Sequence, residues 1–125
     1  MHKINFRVYY EDTDAGGVVF YGNYLRFAER ARTEWLRGHG YNQSNMDVLF
    51  VVKHVDIEYL LPAKLDDEIT VQTALQNIGR ASITMTQDFY KGSSYLAKMK
   101  VVLVCVNRQI KPVALPPDLK SKLIS

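Results

Sequence analysis

The chain has almost no cysteine and no long hydrophobic segment. Cys105 is the single cysteine, which excludes an internal disulfide framework and favours a reducing compartment. The longest uninterrupted apolar run covers residues 101–106, far short of the roughly 18 residues that a membrane-spanning helix needs. Residues 1–7 contain no apolar stretch of the kind found in secretory signals. We therefore expect a cytoplasmic protein without a membrane span.

The chain also has only a small excess of positive over negative charge. Sixteen Lys and Arg against thirteen Asp and Glu give a net charge of +3, which suits an anionic ligand. The basic residues are not concentrated as in a nucleic-acid-binding protein, so we expect no nucleic-acid partner. With 47% apolar and 23% charged residues, the composition is that of a globular protein. Its length predicts a single domain, 1–125, with a core that needs no covalent staples.

The apolar pattern begins with a strand and a long helix. Residues 4–10 alternate between apolar and polar, as in a half-buried strand. Residues 23–37 place apolar side chains every three or four positions, which is the period of an amphipathic helix. Asn23 is the predicted N-cap, and Gly38 or Gly40 the predicted stop.

The rest of the chain is predicted to be mostly sheet. Residues 42–49 read as a loop or short helix, and 118–124 as one or two helical turns. Four strands are predicted at 51–61, 69–75, 81–89 and 95–106. The last one ends in a continuous apolar run, which is typical of an inner strand covered on both faces. These elements predict an α+β fold with a five-stranded, mostly antiparallel sheet, whose second face meets water or another subunit.

The loop at residues 11–22 holds the most unusual chemistry. Three carboxylates in four residues, including Asp12 and Asp14, precede a glycine-bearing loop and the predicted helix start. The first turn of a helix has N–H groups without partners and a partial positive charge. An aspartate beside such donors can attack a carbonyl or activate water while the donors stabilise the oxyanion. Gly16 and Gly22 would let a substrate approach the backbone.

Structural roles are the main alternatives for these acids. Asp14 could cap the loop, which is a common role for an aspartate among glycines. Asp12 is interpreted as structural, bonding loop amides. The spacing also half-matches a calcium-binding loop, but its fifth position is Gly16 and its twelfth is Asn23 instead of a bidentate glutamate. We therefore expect no calcium site.

Other chemical groups are weaker candidates. Glu29 lies on the helix beside Arg26 and Arg30, so surface ion pairing is the favoured interpretation. The three histidines are scattered, without the spacing of a metal site. We predict no metal and no other cofactor.

Five runs of residues are similar to those of a known enzyme family. They are YYEDTDAGGVV at 9–19, ERARTE at 29–34, VDIEYLLP at 55–62, LDD at 65–67 and KPVALP at 111–116. In these runs the chain resembles the hotdog-fold acyl-CoA thioesterases of the 4-hydroxybenzoyl-CoA thioesterase family. The likeness is greatest to their YbgC branch, which is associated with the Tol-Pal genes.

The resemblance implies a fold, an assembly and a set of site residues. The expected fold is a sheet wrapped around the long helix, with two sheets joined edge to edge in a dimer and often a tetramer. Active sites are expected at the dimer interface. The catalytic aspartate falls on Asp14, and the backbone N–H that polarises the thioester carbonyl falls on Tyr21. Substrate contacts are expected at Gly16, Val18 and Gly22.

The chain departs from the YbgC branch at one site position. That branch commonly has histidine where this chain has Tyr21. The change keeps the backbone donor. A tyrosine does not act as a base near neutral pH, since a phenol ordinarily loses its proton at about pH 10. The backbone role is therefore the one we carry over.

A thioesterase acting on coenzyme A also needs cations for the phosphates of the cofactor moiety. Arg80 is the best candidate, because it lies in a predicted turn where Gly79 and Ser82 could add phosphate donors. Lys91, Arg108 and Lys111 are further candidates.

The predicted function is hydrolysis of an acyl-CoA thioester to a carboxylic acid and free coenzyme A. Asp14 would act as nucleophile or as general base, and the sequence does not choose between the two. One alternative is a non-catalytic hotdog module that binds acyl-CoA or acyl carrier protein. Another, enoyl-CoA hydration, would call for a histidine-containing motif that we do not find.

Overall fold

The computed structural model describes residues 1–42 and 47–124, and its strands form one antiparallel sheet. The strands are β1 (His2–Arg7), β2 (Leu49–Tyr59), β3 (Glu68–Ile78), β4 (Ser82–Lys91) and β5 (Ser94–Val106). Their order across the sheet is β1-β3-β4-β5-β2, and every neighbouring pair is antiparallel. Strands β1 and β2 are therefore the two edges of the sheet. The helices are α1 (Asn23–Gly38) and the short α2 (Pro117–Ile124).

Helix α1 packs its apolar stripe onto one face of the sheet. Tyr24, Phe27, Ala31 and Trp35 follow the predicted helical spacing, and each is at most 4% exposed. Burial of each large apolar side chain contributes about 1.5–3 kcal/mol before entropic costs. The predicted α+β class, with a five-stranded sheet around one long helix, is confirmed.

The chain between β1 and α1 differs from its prediction. Strand β1 ends at Arg7, and residues Tyr10–Asp12 form a single 3-10 turn. The apolar alternation through Tyr10 was misleading, because Val8 is fully buried while Tyr10 is 83% exposed. Asn23 is not the N-cap: Gly22 holds that position without a side-chain cap, and Asn23 is the first helical residue.

The later elements follow the prediction more closely. Helix α1 ends at Gly38, and α2 covers the predicted helical turns. Strand β5 is an inner strand, but Val102 and Val104 are only half-buried on its outer face, because no layer of the described chain covers them. The predicted loop or short helix at 42–49 falls mainly on residues 43–46, which lie outside the described residues. Within the described residues, no helix is long and apolar enough to cross a membrane.

A buried polar network connects α1 to the middle of the sheet. Gln87 is fully buried, and its side-chain amide donates to the Ala28 carbonyl and to Thr73 Oγ1, each at 3.0 Å. The Arg32 guanidinium donates to Gln87 Oε1 at 3.1 Å. Burial lowers the pKa of Arg32, while the negative charge of Glu29 opposes that shift. The network satisfies polar groups that would otherwise destabilise the core.

Candidate active site

Residues 13–19 form a tight loop that is hydrogen-bonded through its backbone to a neighbouring segment. Thr13 bridges to Val19, and the Asp14 N–H donates to the Val18 carbonyl at 2.9 Å. Val18 bridges to Lys64 on the segment before β3. Gly17 has φ of +80°, a backbone conformation that favours glycine. The loop is thus held in shape by backbone hydrogen bonds on both sides.

Asp12 anchors this loop to the start of α1. Its Oδ2 accepts the Tyr9 N–H at 2.8 Å, and its Oδ1 accepts the Asn23 side-chain amide at 2.6 Å. Its backbone carbonyl accepts the Phe20 N–H at 2.9 Å. These bonds occupy the carboxylate, which agrees with its predicted structural role.

Asp14 is exposed, and one of its oxygens is held by its own loop. Oδ1 accepts the Gly16 N–H at 2.8 Å. A Cβ at Gly16 would lie 3.2 Å from that oxygen, so glycine gives the carboxylate its room. Oδ2 accepts no hydrogen bond within the described part of the chain. The loop-capping contact that sequence alone suggested is therefore present, and one oxygen is left for another partner.

Two backbone donors are free where α1 begins. Among the described residues, neither the Tyr21 N–H nor the Gly22 N–H has an acceptor. The first turn of α1 also contains no acidic residue that would neutralise its partial positive charge. An acyl oxygen placed here would meet two N–H groups in a positive field.

An apolar cavity of about 260 Å³ lies beside these donors. Its lining is Val19, Tyr21, Tyr24, Tyr59, Leu60, Leu61 and Pro62. Burial raises the pKa of both Tyr24 and Tyr59, so each phenol stays neutral at physiological pH. The cavity can receive an apolar group whose polar end reaches the start of α1. Asp14 is not among the lining residues.

The predicted substrate-contact residues lie in two different places, the loop at 13–19 and the start of α1. Gly16 and Val18 lie in the loop at 13–19, and Gly22 lies at the helix start. The space beside Gly22 is occupied by the ring of Phe20, since a Cβ there would come within 2.8 Å of that ring. Gly22 therefore accommodates an aromatic side chain of its own chain.

Arg80 lies at the far end of the sheet from this loop. The Val8 N–H donates to the Asp67 carbonyl at 2.9 Å, so the loop leaves β1 next to the start of β3. Arg80 follows the end of β3, and an eleven-residue strand spans about 35 Å. The Arg80 carbonyl is bonded instead by the Leu115 N–H. One chain alone does not bring Arg80 to α1's first turn.

The other charged residues that were candidates for the site are paired with neighbouring side chains or exposed. Lys91 forms an ion pair with Asp67 at 2.9 Å, and Glu34 forms one with Arg37 at 2.5 Å. Lys111 is exposed. No group of three or more potential metal ligands forms within residues 1–42 and 47–124. Cys105 is fully buried, and burial raises the pKa of its thiol.

Two site residues were missed by sequence reasoning. Tyr59 lies in a predicted strand and in the family-like run at 55–62, neither of which indicates that its hydroxyl donates to the Tyr21 carbonyl at 2.9 Å. Asn23 was interpreted as a cap, but its side chain reaches Asp12 instead. Neither contact has a local sequence signal, because both join residues that are distant along the chain.

Comparison with known proteins assigns the family. Residues 16–98 match the Thioesterase superfamily. The chain belongs to this superfamily. This thioesterase is 43% identical over 120 residues to "Acyl-CoA thioesterase YbgC" of Haemophilus influenzae, covering 92% of this chain and 88% of that protein. It is also 43% identical over 118 residues to "Acyl-CoA thioester hydrolase YbgC" of Escherichia coli O6:H1, covering 90% and 88%.

Solved structures agree with that assignment. A "Probable Thioesterase" from Bartonella henselae matches with a TM-score of 0.89 and 36% identity, over 92% of this chain and 98% of that one. A protein from Aquifex aeolicus matches with a TM-score of 0.93 and 29% identity, over 98% and 99%. The thioesterase therefore has the hotdog fold, and it is a thioester hydrolase. The residues matched to the superfamily include Tyr21 and Tyr59 and begin two positions after Asp14.

Proposed function

We propose that this protein hydrolyses an acyl-CoA thioester to a carboxylic acid and free coenzyme A. The observation that carries the proposal is the pair of free N–H donors at Tyr21 and Gly22, next to an apolar cavity. The acyl chain would occupy the cavity, and its carbonyl oxygen would accept from the helix start. The curated relatives named for acyl-CoA thioester hydrolysis support this substrate class. The reaction uses no metal or redox cofactor, because backbone donors polarise the carbonyl.

Asp14 supplies the attacking oxygen in the proposed mechanism. Its free Oδ2 adds to the thioester carbonyl carbon, and the N–H groups at the helix start stabilise the resulting oxyanion. The carbon–sulfur bond then breaks, leaving a mixed anhydride, and the thiolate takes a proton from water. A water molecule cleaves the anhydride, which releases the acid and regenerates the carboxylate.

General-base catalysis by the same carboxylate is the competing route. A carboxylate is ordinarily a weaker base than the groups that activate water near neutral pH, and this favours the nucleophilic route. Single-turnover hydrolysis in oxygen-18 water separates the two. Heavy oxygen in the Asp14 peptide requires the anhydride. Label in the product acid alone, without a hydroxamate on Asp14 when hydroxylamine is added, supports the base.

The active site is proposed to lie between two copies of the chain. β2 is an edge strand whose hydrogen-bonding groups on one side have no partner strand in the described chain. An exposed apolar patch lies at the C-terminal end of β2. Its members are Phe20, Tyr21, Tyr59, Leu60 and Leu61, and each is 42–66% exposed. A second copy that pairs through β2 would cover this patch and enclose the exposed Asp14. A dimer or a dimer of dimers is the assembly we expect.

Such a dimer also gives Arg80 a role. Two β2 strands paired antiparallel around a two-fold axis bring the far end of one sheet beside the near end of the other. Ser82, two residues after Arg80, is in register with Val104, which is in register with Val51 near the start of β2. Arg80 of one copy would then face the site of the other copy, where the coenzyme A phosphates are proposed to lie.

A non-catalytic acyl-binding module is the second candidate. It is favoured by the contact between Asp14 and its own loop and by the position of Asp14 outside the cavity. Such a module would bind acyl-CoA or acyl carrier protein without releasing a thiol. The cytoplasmic location stays a prediction under either function.

Thiol release over a panel of acyl-CoAs tests the proposal. Short, long, aromatic and dicarboxylic acyl groups should be compared at one protein concentration, and coenzyme A binding should be measured in parallel. The apolar lining leads us to expect faster turnover with apolar acyl groups than with dicarboxylic ones. Binding of coenzyme A without thiol release from any substrate would support the module instead.

A further inference from the structure

The two free donors at the helix start belong to peptide groups whose carbonyls are held from the opposite side. The Tyr21 N–H shares a peptide with the Phe20 carbonyl, which accepts the Asn23 N–H at 2.8 Å. The Gly22 N–H shares a peptide with the Tyr21 carbonyl, which accepts the Tyr59 hydroxyl at 2.9 Å. In a trans peptide the N–H and the C=O point in opposite directions, and the described chain has no cis peptide. A bond at each carbonyl therefore orients the N–H on the other side.

The hydrogen bonds that hold these two carbonyls differ in origin. The bond from Asn23 is made by the helix's own backbone, so any sequence that forms α1 would supply it. The bond from Tyr59 comes from a side chain 38 residues away at the end of β2. The backbone alternative for the Tyr21 carbonyl is the Tyr24 N–H, which lies at a long 3.4 Å. The Tyr21 carbonyl is thus held by a long backbone bond and by a shorter bond from one phenol.

The ring of Tyr59 is placed to hold that bond. It packs edge-on against Tyr24 with the ring centroids 5.3 Å apart, and Tyr24 packs in the same way on the buried Phe89 at 5.4 Å. The segment after Tyr59 is fixed as well, since the N–H groups of Leu60 and Leu61 both donate to the Leu96 carbonyl. The hydroxyl is therefore supported by the core and by β5.

We propose that Tyr59 is a positioning residue for the thioester carbonyl, and that it aims the Gly22 N–H as a second donor beside that of Tyr21. This inference rests on the proposed thioesterase function and extends it. Accepting a bond at its carbonyl also makes a peptide a stronger N–H donor. The contribution grows as negative charge develops on the acyl oxygen, so it acts on the chemical step more than on substrate binding.

Tyr59→Phe tests the proposal because it removes the hydroxyl and keeps the ring. We expect kcat to fall by about tenfold, less than the hundredfold or more that follows loss of an oxyanion donor itself. KM and the melting temperature should stay close to those of the unaltered protein. Tyr95→Phe is the matched control, since it removes a phenol hydroxyl that bonds Asp88, away from α1. It should leave kcat unchanged.

A spectroscopic measurement separates positioning from packing. A thioester with a ¹³C-labelled carbonyl, bound to Asp14→Asn, should show a carbonyl stretch lowered by hydrogen bonding in a Raman difference spectrum. Tyr59→Phe in that background should shift the stretch back toward its free value. If Tyr59→Phe lowers the melting temperature, p-aminophenylalanine at position 59 decides, because its amine restores a donor and should restore kcat.

The outcomes distinguish this inference from the function on which it rests. If the unaltered protein releases no thiol from any acyl-CoA, the proposed function fails. If it does release thiol, an unchanged kcat and an unshifted carbonyl stretch in Tyr59→Phe overturn the positioning role alone. A rise in KM without a fall in kcat would also overturn it, since Tyr59 would then only line the cavity.

Discussion

The side-chain amide of Asn23 lies 2.6 Å from Oδ1 of Asp12 and joins the first residue of α1 to the preceding loop. The same aspartate accepts the Tyr9 N–H through Oδ2 and the Phe20 N–H through its backbone carbonyl. One residue thus ties together both ends of the segment that contains Asp14. The position of that carboxylate relative to the helix start depends on this tie.

Replacing Asn23 should therefore destabilise the protein. Asn23 is 6% exposed, so Asn23→Leu removes the donor to Oδ1 of Asp12 at a site that water does not freely reach. A hydrogen bond to a charged group contributes about 1.5–3 kcal/mol, and we expect a loss of that size in urea unfolding. Thr33→Ala, which removes an exposed bond to the Glu29 carbonyl, should change stability by less than about 0.5 kcal/mol. Equal effects of the two variants would contradict the role of Asn23.

Asp14→Asn should abolish turnover and leave the fold intact. The amide oxygen can still accept the Gly16 N–H, but the side chain no longer supplies a carboxylate for attack or base catalysis. We expect kcat to fall by at least about a hundredfold. Asp66→Asn is the control, since asparagine tolerates the φ of +69° found there and should leave kcat unchanged. Full activity of Asp14→Asn would refute the assignment of this residue.

A charge on the free edge of β2 should reduce dimerisation. The Val52 side chain is 48% exposed at that edge, and burying a carboxylate there against a second copy would be costly. Val52→Glu should shift the protein toward monomer in sedimentation equilibrium and lower the specific activity in parallel. Lys3→Glu, on the opposite edge strand β1, should leave both unchanged. A monomeric unaltered protein with full activity would contradict the proposed shared site.

The ion pair between Lys91 and Asp67 should make stability depend on pH. Burial by itself would raise the pKa of the Asp67 carboxyl, but the bond and charge of Lys91 and the Lys64 N–H lower it below its usual value. A lowered folded-state pKa contributes stability above the unfolded value of about 4, and that contribution is lost as the pH falls. We expect Lys91→Met to cost up to about 1 kcal/mol at pH 7, since Lys91 is half exposed.

That cost should disappear at low pH. Urea unfolding measured from pH 7 down through the acid range tests this, because the cost is lost only as the pH falls through the lowered folded-state pKa of Asp67. Lys3→Met is the control and should show a smaller change over the same range, since the cross-strand neighbour of Lys3 is the uncharged Gln72. A cost that is equal across that range would mean that Lys91 stabilises by packing.

Much of the fold could be predicted because its signals are local. The spacing of Tyr24, Phe27, Ala31 and Trp35 predicts α1, and the same residues form its buried stripe. The end of β1 could not be predicted, since the alternation continues past Arg7 while the backbone turns into a 3-10 turn. Hydrophobic period reports which residues are apolar, and backbone hydrogen bonding decides where a strand ends.

The candidate site was predicted in part for the same reason. Asp14 and Tyr21 are seven residues apart in one loop, so a site that combines them can be proposed from the sequence. The Tyr59 contact with Tyr21 and the distance of Arg80 both depend on strand pairing. The registers of the paired strands set those distances, and the local sequence pattern does not predict the registers.

The amino-acid sequence alone determined the element types, the acidic loop before a helix start and the resemblance to a thioesterase family. Only the tertiary structure decided that the Asp14 carboxylate bonds its own loop, that two N–H groups at the helix start stay free, and that a phenol from β2 bonds the Tyr21 carbonyl. The physical reason is that local periodicity depends on near neighbours in the chain. A hydrogen bond between Tyr59 and Tyr21 exists only once the sheet and α1 have packed together.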